Sequence, residues 1–439
     1  MSRPELLAPA GTLRNLRHAL AYGADAVYAG APRYSLRVRN NDFDDRAQLA
    51  CGIAESHAVG RRFYLACNVL PHDAKLRTFL DDLAPIVALG PDALIMADPG
   101  LILLVRERWP ELPIHLSVQA NTMNRAAVRF WQGIGIRRII LSRELSLDEV
   151  EAIRQACPEV ELEVFVHGAL CIAYSGRCLL SGYFNHRDAN QGSCTNACRW
   201  QYGVHPATLD SSGDVVPAVA DCGGVERHPL AEQPWLINEQ ARRADEMMAV
   251  EEDEHGTYIM NSRDLRAIEH VERLVAIGID SLKIEGRTKS HYYVARTTQS
   301  YRRAIAAAQA GEPFDPTLLG ALEGLAHRGY TDGFYQRHHS REYQNYLQGS
   351  AESGRQQFVG EVVGHDPASG LAEIEVKNRF TVGDRLELIT PAGNHRFMLE
   401  AMVAGNGTPL TCAPGSGHRV RIALPVEAGD YALLARDLE

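Results

Sequence analysis

Short apolar runs alternate with helical patterns along the first 170 residues of this chain, and that alternation constrains the fold more than any other feature. The runs are Leu6–Ala8, Ala26–Ala29, Phe63–Val69, Ala93–Ala97, Ile114–Gln119, Arg138–Ser142 and Leu162–His167. Between them, apolar residues recur at helical spacing, as Leu76, Leu80, Leu83 and Val87 do along one face. Thr12 is placed to cap the first helix, and Ser146 with Glu149 forms a capping box. Gly23, Gly60, Gly90 and Gly278 each follow a helical stretch, where a left-handed cap is expected. Repeated strand–helix units build a parallel sheet, and uniformly apolar strands suit a sheet covered on both faces. Thr257–Met260 and Ser281–Glu285 bring the candidates to nine for the eight strands of a (β/α)8 barrel, with Thr257–Met260 as the expected extra. An open doubly wound sheet is the alternative. No G-x-G-x-x-G follows the first strand, which disfavours its dinucleotide-binding version.

The alternation breaks between about residues 169 and 256, where an irregular, polar stretch interrupts the barrel expected over residues 1–340. In a barrel this insertion leaves from the C-terminal end of strand Leu162–His167, the face on which active sites are built. A polar linker is expected over residues 341–356. Beyond it, residues 357–439 read as a small all-β barrel with strands Phe358–Val363, Leu371–Val376, Arg385–Ile389, Phe397–Met402, Arg419–Leu424 and Tyr431–Ala435. No apolar run approaches the roughly 20 residues of a membrane helix, and Met1 to Gly11 has no apolar leader core. The expectation is a cytoplasmic protein with reduced thiols and no membrane partner.

That compartment gives meaning to four cysteines inside the insertion. Cys171, Cys178, Cys194 and Cys198 follow the spacing C-x6-C, fifteen residues, C-x3-C. In a cytosolic chain such a cluster is more often metal-binding or catalytic than disulfide-forming. Structural zinc sites favour C-x2-C or C-x4-C knuckles, whereas iron–sulfur clusters accept four thiolates at varied spacing. The spacing favours iron–sulfur, with zinc and plain structural or redox thiols as the other readings. A C-x3-C-x2-C radical motif would need its third cysteine where Gln201 stands. Cys222 is a possible substitute ligand, while Cys51, Cys67, Cys157 and Cys412 lie in apolar or helical contexts and read as buried residues.

Other polar residues follow strands at the same face: Arg37 and Arg39, Gln119 and Asn121, and Lys283, Glu285 and Arg287. Arginine holds carboxylate or phosphate in bidentate fashion, so Arg37, Arg39, Gln119, Asn121, Lys283 and Arg287 are the candidate substrate-binding residues. His167 and Glu285 are the candidate catalytic residues. None of the 17 histidines is followed by glutamate, so the H-E-x-x-H metalloprotease motif is absent, and so is a G-x-S-x-G elbow. A cysteine nucleophile paired with His167 stays conceivable.

A net charge of −10 argues against indiscriminate polyanion binding, because phosphate contacts need local positive potential. Lys283 to Arg303 nevertheless holds six Lys or Arg against one acid, with Tyr292, Tyr293 and Tyr301 among them. This is either a solvated helix face or a basic, aromatic surface that tracks a nucleic-acid backbone.

The run EVFVHGALCIAYSGRCLLSG resembles the signature of the collagenase-like peptidase family, type U32. MNSRDL, SLKIEGRTKSHYY and the N-terminal ELLAPAG and GADAVYAG match further blocks, so the resemblance spans essentially the whole chain. CTNACRWQY and EDEHGTYIMNSRDLRAIEHVERL resemble its tRNA-modifying branch in particular. That resemblance implies prephenate-dependent conversion of wobble uridine to 5-hydroxyuridine, with tRNA and prephenate as partners and an electron-donor protein as a further one. It also implies a [4Fe-4S] cluster on Cys171, Cys178, Cys194 and Cys198. Some members carry a cysteine just after the N-S-x-D-L block, where this chain has Arg266, so the fourth ligand falls to Cys198 or Cys222. A cysteine- or metal-dependent peptidase and a non-catalytic tRNA- or iron-carrying subunit are the competing functions.

Overall fold

The computed structural model describes residues 3–36, 42–170, 173–175, 177, 263–327, 329–336, 356–366 and 369–438, together with backbone strands at Ala207–Leu209, Val215–Pro217, Trp235–Glu239, Arg243–Asp253 and Gly256–Tyr258. Eight parallel strands close on one another: β1 (Glu5–Pro9), β2 (Ala26–Gly30), β3 (Arg62–Cys67), β4 (Ala93–Met96), β5 (Ile114–Leu116), β6 (Arg138–Ile140), β7 (Glu161–Ala169) and β8 (Ser281–Ile284). Closure is made at β8, where Leu282 lies opposite Leu6 on one side and Val164 on the other. The apolar runs form these strands because both sheet faces are covered, by side chains inside and helices outside. Gly256–Tyr258 pairs antiparallel with Arg243–Asp253 and stays out of the barrel, as expected of the extra strand.

The helices α1 (Leu13–Ala21), α2 (Arg46–Ala58), α3 (Asp73–Val87), α4 (Pro99–Arg108), α5 (Arg125–Gly133), α6 (Leu147–Ala156), α7 (Val271–Ile277) and α8 (His291–Ala310) surround it. Thr12 caps α1 through the Asn15 amide at 3.0 Å, and the Ser146–Glu149 capping box is formed. On α3 the stripe is rotated from the expected one: Phe79, Leu83 and Ile86 are buried, while Leu76, Leu80 and Val87 are partly buried at its margin. Several strand expectations end early, Ile114–Gln119 by the most. Ile114–Gln119 stops at Leu116 and turns through a 3-10 segment to Asn121, whose φ of 50° is left-handed. Phe397–Met402 is two strands, Gly393–Met398 and Met402–Ala404.

Residues 356–438 form a separate antiparallel β unit whose core includes Val359, Ile374, Phe380, Leu388, Val420 and Leu434. The barrel meets it along α8. Twelve of the 20 residues of α8 are buried, including Tyr292, Tyr293, Arg296 and Tyr301. Most of the cationic run is therefore turned into the protein rather than forming a solvated face, with Arg303 at the surface. Arg296 pairs with Glu387 of the β unit, Arg302 with Asp25, and Tyr292 stacks on Phe358. At Arg296 and Arg302, charge neutralises acids arriving from distant parts of the chain rather than meeting water.

Candidate functional site

The C-terminal ends of the barrel strands carry a ladder of cations and rings. Lys283 on β8 is buried, and its Nζ binds Glu163 Oε1 of β7 at 2.8 Å. The same Nζ lies 4.4 Å from the centre of the Tyr28 ring and 5.4 Å from that of Phe165. Beyond Tyr28 stands Arg287, 5.7 Å from the ring, donating from Nη1 to Ser35 Oγ at 2.7 Å. Beyond Phe165 stands Arg143, its guanidinium carbon 3.8 Å from the ring centre and its Nη1 donating to the Ala169 carbonyl at 2.8 Å. Three cations are thus interleaved with two aromatic faces, an arrangement that holds positive charge in a partly desolvated place. Burial pulls the Lys283 ammonium down and Glu163 pulls it up, with a net downward result. Gly30 is required beneath Arg287: a Cβ there would lie 2.7 Å from the Arg287 Nη1.

Gln119 and Asn121 stand where β5 gives way to its 3-10 turn. Asn121 donates from Nδ2 to two carbonyls, Gln119 at 2.8 Å and Ser175 at 3.0 Å. Because carbonyls only accept, the amide orientation is fixed and Oδ1 faces away from both. Asn121 Oδ1, Gln119 Oε1, Thr122 Oγ1 and Arg143 Nε are all buried without a hydrogen-bond partner among the described residues.

His167 occupies a different place from the mouth. A bulge in the β7–β8 ladder, where Lys283 faces Phe165 but Ile284 faces His167, turns this imidazole outward under α8. It is buried against Tyr293, Tyr301 and Tyr330, with ring centres 5.4 to 5.7 Å away. Glu285 is brought beside it by its backbone, its N–H donating to the His167 carbonyl at 2.8 Å. The approach is so close that a Cβ on Gly168, at φ 108°, would fall 2.5 Å from the Glu285 carbonyl oxygen. Burial, then the Lys289 and Arg266 charges, push His167 down to about 3, so it is neutral at physiological pH. Below about pH 6.5 the unfolded chain binds a proton on this imidazole that the folded chain refuses until about pH 3. His167 therefore makes stability fall as pH drops through that window, by up to about 1.4 kcal/mol per pH unit. His167→Phe is expected to flatten the acid limb of a urea-denaturation series; an unchanged limb would contradict the burial argument.

The structure brings Gln119, Asn121, Lys283 and Arg287 to one end of the barrel, with Lys283 set deepest by its pairing with Glu163. Arg37, Arg39, Cys171, Cys178, Cys194, Cys198 and Cys222 lie outside the described residues. Among the described residues no group of three His, Cys, Asp or Glu could hold a metal ion. Of the described cysteines, Cys67 and Cys157 are buried and Cys51 and Cys412 half-buried, and burial pushes the Cys67 thiol up to about 12. Arg266 is on a short strand, Asp264–Arg266, that pairs antiparallel with the end of β7; it is ion-paired with Glu323 and stacks on Tyr330. No described helix is long and apolar enough to cross a membrane.

Sequence reasoning missed Arg143, Tyr28 and Ser35. Arg143 follows β6 at the same offset that singled out other residues, so the strand-end rule could have found it. Ser35 carried no signal, because its role comes from a residue 252 positions away.

The profile of peptidase family U32 matches residues 11–345, and that of the peptidase family U32 C-terminal domain matches residues 354–436. Over 444 residues the chain is 58% identical to the tRNA hydroxylation protein P of Escherichia coli, covering 100% of this chain and 97% of that protein. It is 55% identical over 446 residues to the tRNA hydroxylation protein P of Haemophilus influenzae, covering 99% and 96%. It is also 32% identical over 343 residues to the 23S rRNA 5-hydroxycytidine C2501 synthase of Escherichia coli, covering 76% of this chain and 45% of that protein.

Proposed function

This chain belongs to peptidase family U32, and from that premise we propose that it hydroxylates tRNA, converting wobble uridine to 5-hydroxyuridine with prephenate as cosubstrate. The observation that carries this reading is the 58% identity, end to end, with a protein named for tRNA hydroxylation. The name of the rRNA relative specifies a 5-hydroxypyrimidine product as well. The reaction replaces hydrogen with hydroxyl at carbon 5 of the base. A wobble base already sits in a single-stranded loop, so presenting it to a barrel mouth costs little unstacking.

Cys171, Cys178, Cys194 and Cys198 are the proposed ligands of a [4Fe-4S] cluster. Four thiolates are the donor set such a cluster takes, and it would supply one-electron transfer when bound. The chain enters this region from the end of β7, and two side chains hold that entry: Arg143 binds the Ala169 carbonyl and Asn121 the Ser175 carbonyl. Arg287 and Lys283 maintain positive charge below it, which suits an acidic cosubstrate. The overall charge of −10 means that RNA phosphates must meet local cations rather than the average field. An electron-donor protein completes the proposed set of partners.

Deleting the gene is expected to deplete 5-hydroxyuridine and its derivatives in tRNA digests analysed by mass spectrometry, in a strain without a second route to that nucleoside. Undiminished levels would sink the reading.

A further inference from the structure

The four orphaned polar atoms at the ends of β5 and β6 share one corner of the barrel. The two strands are neighbours, with His115 opposite Arg138, and the corner is tied by the Ser142 amide donating to the Thr122 carbonyl at 3.2 Å. Buried polar atoms are paired in the great majority of cases, and leaving one unpaired costs about 1–3 kcal/mol. Four together at a strand-end corner therefore call for a bound group. Their chemistry is specific: two amide oxygens that can only accept, one hydroxyl, and one guanidinium N–H that can only donate. Gln119, Asn121 and Arg143 are only half-buried, so the mouth reaches them by side-chain movement.

We propose that this corner binds a small hydroxy acid, with Arg143 taking a carboxylate and one of the Gln119 and Asn121 amide oxygens accepting from its hydroxyl. Two contacts orient Arg143 for a carboxylate. Phe165 supports the guanidinium face and the Ala169 carbonyl engages Nη1, which leaves the buried Nε without a partner until an acid reaches it. Asn121 is held by its two carbonyl partners, so its oxygen cannot swap with its nitrogen. The inference rests on the proposed cosubstrate only in naming prephenate, a hydroxy dicarboxylate, as the physiological acid.

Calorimetric titration of the anaerobically purified protein with prephenate, L-malate and phenylpyruvate tests it. Phenylpyruvate keeps one carboxylate and has neither the ring hydroxyl nor the ring carboxylate of prephenate. Wild type is expected to prefer prephenate, and Arg143→Gln to weaken prephenate binding by about 10- to 100-fold, the range for losing a charged hydrogen bond. Arg143→Lys should fall between the two, and Gln119→Leu should narrow the preference over phenylpyruvate by the part the hydroxyl supplies. Melting temperatures near wild type separate binding loss from misfolding. If wild type ignores prephenate but binds L-malate, and Arg143→Gln loses that binding, the site stands and the cosubstrate reading falls. If prephenate binds and a well-folded Arg143→Gln binds it equally, the site falls and the cosubstrate reading stands. Wild type that binds none of the three acids overturns both.

Discussion

Arg296→Ala is expected to destabilise the folded protein by about 3–5 kcal/mol, the range for removing one partner of a buried ion pair. Arg296 is 2% exposed and sits in the N-terminal third of α8. It forks onto Glu387 at 2.9 and 3.1 Å and also donates to Gln356 at 3.0 Å. Gln356 in turn donates to Glu387 at 2.7 Å and to Asp437 at 2.8 Å. Burial pushes the Glu387 carboxyl up, but Arg296 and Gln356 outweigh it and hold the group below its usual range. Removing Arg296 leaves that carboxylate desolvated and short of its countercharge, a larger penalty than losing the attraction alone. The network joins barrel to β unit, so the loss should appear as a lower urea midpoint by far-UV circular dichroism. Replacing both partners, as Arg296→Met with Glu387→Leu, should recover much of the loss, because no charge is then stranded. A single-substitution loss under about 1 kcal/mol would mean that water reaches Glu387.

The same helix shows where sequence reading stops. The barrel was legible because strands buried on both faces write themselves as predominantly apolar runs, and β1 to β8 each overlap an expected strand. The caps at Thr12 and Ser146 were legible because their partners lie three residues away. The charges of α8 were not, because what decides between solvent and burial is Glu387, 91 residues on, and Asp25, 277 residues back. Nothing local to Arg296 distinguishes it from Arg303, which pairs with Asp315 at the surface. The site divides the same way. Residue type and strand-end position pointed to Gln119, Asn121, Lys283 and Arg287. The outward turn of His167 depends on register, which one bulge in the β7–β8 ladder shifts, and the depth of Lys283 and the unpaired atoms around Arg143 depend on partners distant in the chain.

Cys171→Ala and Cys194→Ala are each expected to cost most of the iron of anaerobically purified protein, which should otherwise be brown with about four irons per chain, and to abolish 5-hydroxyuridine formation in a complemented deletion strain. Retention of wild-type iron would remove these residues from the ligand set. The informative comparison is between Cys198→Ala and Cys222→Ala. Family members with a cysteine after the N-S-x-D-L block have a further thiolate to offer; here Arg266 stands at that place, committed to Glu323 and stacked on Tyr330. It cannot ligate iron, so the proposed cluster would draw its fourth thiolate from elsewhere in the chain. Cys198 lies just beyond Cys194, separated from it by Thr195, Asn196 and Ala197, and a short spacer restricts how far two thiolates can diverge once one is bound. Cys222 would have to close a loop from Cys194 of more than twenty residues. The entropic difference is modest, about 0.6 kcal/mol for each doubling of loop length. Iron retained by Cys222→Ala and lost by Cys198→Ala would identify the near residue, and the reverse would show that packing in the insertion outweighs chain length. Full retention by both single variants, with loss only in the double, would mean that either thiolate can complete the set.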